Sequence, residues 1–329
     1  KKLANTNSGI KQTQRTEIEV ADMFLGWRRK GRTGPKQDGA AEFDEVVERV
    51  SIAPCVPKGS DRQSHFSSST NIQLIVDDLF YEPYSNEFGP SSLVQIFEFS
   101  RRISGALLNH SQQNVELVTD PSDRNLTSLI FLFGSYIILN YEVCEEDLQQ
   151  FSDSFDGKLL NFTDVFNSSD DFRLTVQDCW SGLLRAKTFG WPSKIQKCNE
   201  NFSGLDFSVI VPGKLIAFRG PVDASTTSPT LASDAVGPDD YADTFRSLNV
   251  QAVVRLNPAR YDKSRFLARG LAFADLPFPD CSCPPPSVAA AFLLIARALP
   301  GALAVHCRSG LGRTGTLICL YTMLRHGFS

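Results

Sequence analysis

The chain has 329 residues, 42% of them hydrophobic, which is enough for two domains of ordinary size, each with its own core. Its 33 Lys and Arg against 37 Asp and Glu give a formal net charge of -4, so no global charge points to nucleic acid or to a membrane surface as a partner. The eight cysteines do not fall into a short disulfide framework and no apolar segment with a cleavage site opens the chain, which predicts reduced thiols and a place in the cytoplasm or nucleus.

In chain order, residues 1–41 are polar and read as a disordered tail, apart from a short helix around Val20–Trp27. The run Trp27-Arg28-Arg29-Lys30-Gly31-Arg32 reads as solvated basic surface. A first folded block is expected over 42–187: a strand at Val46–Ile52, a helix at Leu93–Leu108, a strand at Asn114–Val118 and a buried helix at Leu126–Leu139. Its apolar stretch is too short to span a bilayer. Phe151–Asp171 is polar and acidic and reads as a surface excursion, followed by a helix at Leu174–Ala186. Residues 188–206, broken by Pro192, read as a linker.

A second block is expected over 207–329. Val209–Phe218 is strand-like, Val222–Pro238 a loop, Asp239–Leu248 a helix and Gln251–Leu256 an apolar strand. Tyr261–Arg269 reads as helix, Leu271–Leu276 as strand, Ser287–Leu299 as helix and Ala302–Val305 as the last buried strand, with a further helix from Arg313. Short apolar strands alternating with helices predict an α/β fold, a mainly parallel sheet flanked by helices in each block. The chain starts at Lys1 without a Met and stops at Ser329 within the expected last helix, so the second block is expected to be incomplete.

At the end of the last strand stands His306-Cys307-Arg308-Ser309-Gly310-Leu311-Gly312-Arg313-Thr314-Gly315. A phosphoryl dianion has to be held by inward-pointing N–H groups at a helix N-terminus. Gly310 and Gly312 are expected to permit that backbone, and Arg313 to offer its planar fork to two phosphoryl oxygens. The same field should lower the pKa of Cys307 and supply a thiolate nucleophile, with His306 and Thr314 ordering the loop. Such a nucleophile needs an acid for the leaving oxygen. Asp280, after Pro277-Phe278-Pro279, is the candidate, and Asp275 is less suited because a strand position points it at a sheet face. This chemistry calls for no metal or other cofactor.

His306–Gly315 resembles the signature of the dual-specificity and protein-tyrosine phosphatases. The wider sequence is similar to the cell-division-cycle-fourteen family of mitotic-exit phosphatases. The likeness lies in Ile210–Phe218, Val253-Val254-Arg255-Leu256-Asn257, Lys263-Ser264-Arg265-Phe266 and Phe278-Pro279-Asp280, and in the first block in Tyr81-Glu82-Pro83-Tyr84 and Phe88-Gly89-Pro90. It implies two tandem phosphatase-like domains of which only the second is catalytic. It also implies phosphoprotein substrates: phosphoserine or phosphothreonine before proline, and phosphotyrosine. Arg308 stands where the family has lysine. Lys194, Lys197 and Glu200 stand where the family has an acidic run, the counter-charge for a basic residue downstream of the phosphosite. Two other readings are a non-catalytic phosphoprotein-binding module and a phosphoinositide phosphatase. The second would place lysines where Ser309 and Leu311 stand.

Overall fold

The computed structural model describes residues 18–19, 46–53, 71–83, 85–155, 157–164, 173–201, 205–222 and 236–328. They divide into two compact units, Lys1–Leu184 and Arg185–Ser329.

The first unit is built on a four-stranded sheet of β1 (Ile18–Glu19), β2 (Val50–Ala53), β3 (Asn71–Ile75) and β4 (Asn114–Val118) in the order β1-β2-β4-β3. All its pairs are parallel except β1 with β2. Helix α1 (Leu93–Asn109) opens on a capping box, in which Ser92 accepts from the Gln95 N–H and Gln95 accepts from the Ser92 N–H at 2.6 Å. Its buried residues, Ile96, Phe99, Ile103 and Leu107, recur at helical spacing and face the sheet's core. Helix α2 (Asp123–Asn140) is buried on every side from Leu126 to Ile138, so its polar groups need internal partners. Ser135 supplies one by donating to the Phe131 carbonyl at 2.7 Å, and the indole N–H of Trp180, on α4 (Val176–Thr188), donates to the same oxygen at 3.1 Å.

Several expectations for this unit change. Residues 18–19 are not tail but an added strand, while the helix expected at Val20–Trp27 and the basic run Trp27–Arg32 lie outside the described residues. Residues 46–49 are helical, so the strand starts only at Val50, and β3 was not expected at all. The surface excursion at Phe151–Asp171 is corrected. Phe151, at the end of α3 (Glu145–Asp153), Phe155 and Phe162 are buried in the core, the first two edge-to-face at 5.5 Å. The intervening polar residues hide the aromatic anchors, each of which contributes about 1.5–3 kcal/mol by burial. Residues 165–172 lie outside the description.

The second unit begins within α4 and continues into α5 (Trp191–Asn201), so the expected linker at 188–206 is corrected as well. Pro192 sits in the first turn of α5, where its missing N–H costs nothing, and Trp191 and Ile195 bury one face. The single strand expected at Val209–Phe218 is a hairpin of β5 (Phe207–Val211) and β6 (Leu215–Phe218), turned at Pro212-Gly213. Next come α6 (Pro238–Ser247), β7 (Val250–Arg255), one turn of helix α7 (Ser264–Leu267), β8 (Ala272–Asp275), α8 (Pro286–Ala298), β9 (Ala302–His306) and α9 (Gly312–His326).

The sheet order is β5-β6-β9-β7-β8, parallel throughout except for the β5–β6 edge. The expected α/β class therefore holds, and both sheets are laid out alike: an antiparallel edge strand, then parallel strands with β4 or β9 in the interior. Because β7, β8 and β9 are neighbours and parallel, their C-terminal ends open on one edge, and the loops leaving them meet there.

Candidate active site

Strand β9 carries five consecutive buried residues and ends at His306, which delivers Cys307, itself only 2% exposed, to the C-terminal edge of the sheet. The chain then loops through Arg308–Leu311 into α9, whose first turn has no side-chain cap. Its free N–H groups and positive helix end therefore face the loop. At Gly310 the backbone takes φ +80°, and a Cβ there would stand 2.4 Å from the Phe218 carbonyl oxygen, so both conformation and space demand glycine. Gly312 corrects the expectation for that residue, since it lacks a left-handed φ and a Cβ would meet nothing within 4 Å.

Gly220, which the sequence reading did not single out, closes the site from the end of β6. Its N–H donates to the Arg308 carbonyl at 3.2 Å, and a Cβ there would stand 2.2 Å from the Cys307 oxygen.

Burial pushes the Cys307 thiol up. The Thr314 hydroxyl, the backbone N–H groups of Thr314 and Gly310, and the charge of Arg313 outweigh it, so the thiol titrates below its ordinary value. Thr314 is fully buried, and its hydroxyl has no other partner among the described residues.

His306 is also fully buried, and desolvation brings its pKa down to about 4, so the imidazole is neutral. Its Nδ1 lies 2.9 Å from the Cys307 carbonyl oxygen, which can only accept, so Nδ1 carries the proton. Nε2 is then the acceptor for the Tyr261 hydroxyl at 2.7 Å.

Behind Tyr261 runs a chain of contacts that the sequence did not disclose. Arg255 donates to the Tyr261 carbonyl at 3.0 Å and to Asp275 at 2.7 Å, and its guanidinium stacks between the rings of Tyr261 and Phe273. Lys263 donates to the second oxygen of Asp275 at 3.0 Å. Burial raises the Asp275 pKa, but these two bonds outweigh it and hold the residue ionised. Asp275 is thus committed to ion pairs beside the site. Its register partner Arg255 on β7 was the only available signal.

The loops after β7, β8 and β9 enclose an open cleft of roughly 700 Å³. Asp280 reaches it on an exposed loop, with Oδ1 3.1 Å from Arg313 Nε. Arg313, whose side chain is only 6% exposed, makes this contact as an ion pair and donates its hydrogen bond from Nη1 to the Phe278 carbonyl at 3.0 Å. Arg313 thus stands between the two other expected residues, its charge acting on the Cys307 thiol and its Nε facing Asp280, while Thr314 lies at the sulfur and His306 at the Cys307 carbonyl. Arg308, Ser309 and Leu311 are exposed on the loop.

Comparison with known proteins agrees with this geometry. Residues 55–186 match a family model described as dual specificity protein phosphatase, N-terminal half. Residues 232–328 match one described as polymorphic toxin system, DSP-PTPase phosphatase. The dual specificity protein phosphatase CDC14A of Mus musculus is 31% identical over 302 residues, covering 88% of this chain and 48% of that protein. CDC14B of Mus musculus is 30% identical over 276 residues, covering 81% of this chain and 55% of that protein. The chain thus spans about half the length of the curated relatives it matches. Among solved structures, Tk-PTP in its active form aligns with 36% of this chain and 72% of its own at 22% identity, with a TM-score of 0.29. Likeness that runs through both units, rather than through the loop alone, assigns the whole arrangement: the chain belongs to the CDC14 family of dual specificity protein phosphatases.

Proposed function

We propose that the chain is a cysteine-dependent protein phosphatase acting on phosphoserine and phosphothreonine, foremost before proline, and on phosphotyrosine. The Cys307 thiolate attacks phosphorus, and an S–P bond forms as the bond to the leaving oxygen breaks. Asp280, in its acid form, gives that oxygen its proton. Arg313 and the N–H groups around Gly310 hold the equatorial oxygens as charge develops. Water then attacks the cysteinyl phosphate and Asp280 takes its proton. Inorganic phosphate leaves, and the thiolate is restored.

The observation that carries this reading is a buried cysteine whose thiol is nonetheless pulled below its ordinary value, in part by Arg313, which lines the cleft together with Asp280. Among its described residues the first unit has no such loop. Its interior strand β4 ends at Val118 and turns through Thr119-Asp120-Pro121-Ser122 into α2 without a cysteine, and Arg124 in the first turn of α2 donates to the Asn86 and Glu87 carbonyls, which supports a non-catalytic role. A part in cell-cycle control, in nucleus or cytoplasm, fits the family and the sequence's lack of a disulfide framework.

The test is phosphate release from p-nitrophenyl phosphate and from phosphopeptides. Cys307→Ser is expected to abolish turnover and retain phosphopeptide binding, and Arg313→Ala to lose both. Turnover by the serine variant at a tenth of the wild-type rate or more would exclude the covalent mechanism.

A further inference from the structure

Two arginines in the cleft are not used by the chemistry above. Arg260, on the loop after β7, and Arg308, on the loop after β9, both line it and are both exposed. Neither guanidinium makes a hydrogen bond or ion pair among the described residues, whereas Arg255, Arg265, Arg269 and Arg313 in the same unit are each paired with a carboxylate. Asp280 is the one carboxylate on the cleft's described lining, and it is engaged by Arg313. The walls beside the reacting position therefore carry an unbalanced positive charge.

A second observation comes from Asn257, 5% exposed and on the same cleft. Its Nδ2 donates to the Pro258 carbonyl at 2.9 Å, which fixes the orientation of the amide, because that oxygen can only accept. Oδ1 is thereby left buried and without a donor. A buried acceptor without a donor costs free energy until a ligand supplies one. The backbone N–H of a peptide laid in the cleft is such a donor.

We propose that Arg260 and Arg308, with Asn257, read the polypeptide around the phosphorylated residue and select substrates that carry a second anionic side chain, a carboxylate or a further phosphate, close to the phosphosite. This deepens the phosphatase reading and rests on it for the identity of the reacting group. The charge preference is opposite in sign to the basic-residue preference that the family resemblance implies. It follows from the charges lining this cleft. An exposed guanidinium discriminates modestly, and two acting on one group reach about 5- to 20-fold between an acidic and a basic neighbour. A phosphate, with close to two charges, is favoured more than a carboxylate.

The experiment uses four phosphoserine-proline peptides that differ only beside the phosphosite: Glu, Ala, Lys or a second phosphoserine. kcat/KM is measured for the full chain and for Arg260→Ala and Arg260→Glu, and Kd is measured in the Cys307→Ser background. The expected order is second phosphoserine, Glu, Ala, Lys. Arg260→Ala should narrow the Glu-to-Lys ratio about threefold or more and Arg260→Glu should invert it. p-Nitrophenyl phosphate, which has no flanking group, should be turned over by these variants as by the parent. Raising the salt should shrink the ratio, because the contacts are solvent-exposed.

Arg260-dependent preference in Kd without any turnover would uphold this inference while the phosphatase reading failed. Equal kcat/KM and equal Kd across the peptides, or a Lys peptide preferred with Arg260 intact, would overturn the inference and leave the phosphatase reading standing. Faster phosphate release from phosphoinositide vesicles than from every peptide would overturn the peptide assignment of the cleft.

Discussion

The Tyr261 hydroxyl lies 2.7 Å from Nε2 of His306, and both residues are buried, 45 positions apart in the chain. The contact ties the loop after β7 to the last residue of β9 and fixes the imidazole that holds the Cys307 carbonyl. Tyr261→Phe keeps the ring beneath Arg255 and removes only this bond. It leaves a buried lone pair on His306, a cost of about 1–3 kcal/mol. The expected result is a lower denaturant midpoint at unchanged m-value, with about a tenfold loss in kcat as the loop loosens. An unchanged midpoint would mean that the hydroxyl contributes nothing to the fold.

The burial that keeps His306 neutral also sets an acid limit on stability. Its pKa falls from 6.5 to about 4 on folding, with desolvation the main cause. Above pH 6.5 the group is neutral in both states. As pH drops towards 4, the unfolded chain takes up a proton that the folded chain refuses, so stability falls through that window by up to about 3 kcal/mol and then levels. His326 is also lowered, chiefly by burial, and contributes in the same direction. The difference between wild type and His306→Asn in unfolding free energy against pH isolates the first histidine. The variant should show the shallower slope between pH 6.5 and 4.

What the sequence made legible was whatever is contiguous. The strand-loop-helix from Ala302 to Arg313 and the Pro-rich approach to Asp280 each declare themselves within a dozen residues. Tyr261, Arg255 and Gly220 did not, because their roles arise from the parallel neighbours of β9, a pairing that no local pattern encodes. Phe151, Phe155 and Phe162 were misplaced for a related reason. Sparse aromatic anchors between polar residues imitate a surface loop until the core they enter is known. The linker reading failed on Pro192, a helix breaker everywhere except in the first turn, where the structure puts it.

Thr314 is predicted to set the reactivity of the nucleophile. Its hydroxyl makes the largest contribution opposing the effect of burial on the Cys307 thiol. In Thr314→Ala the midpoint of iodoacetamide alkylation against pH, corrected with Cys307→Ser as the blank, should move up relative to wild type. Thr314→Ser, which keeps the hydroxyl, should stay close to wild type. The same midpoint in all three proteins would assign the shift to the backbone and Arg313 alone.

The two loop glycines should separate cleanly. Gly310→Ala places a Cβ 2.4 Å from the Phe218 oxygen at φ +80°, a strain of about 1–3 kcal/mol, which in a unit of this size lowers Tm by several degrees. Gly312 opens α9 with free space around it, and alanine is the better helix former, so Gly312→Ala should leave Tm unchanged or slightly raised. Thermal melts without ligand decide the matter, and equal losses in both variants would show that the loop needs glycine at both positions.

Asp280 and Arg313 form the contact through which chemistry and binding oppose each other. The carboxylate lies 3.1 Å from Arg313 Nε, so it occupies part of the charge that a phosphoryl group must use. Asp280→Asn removes a proton donor and a competing anion in one step. The loss of the donor should slow hydrolysis of a phosphoserine peptide by about 10²–10⁴-fold in kcat. The loss should be smaller for p-nitrophenyl phosphate, whose leaving group departs without a proton. Freeing Arg313 of its counter-charge should at the same time tighten phosphate binding, so KM should fall together with kcat, the pattern of an interaction that opposed the bound substrate. A carboxylate needed only to hold the loop would give the reverse: KM raised, and both substrates slowed alike. Steady-state kinetics on the two substrates, with inorganic phosphate as a competitive inhibitor to report on Arg313 alone, therefore distinguish the acid from the scaffold. A weaker phosphate inhibition constant in the variant would rule out the competition inferred from the ion pair.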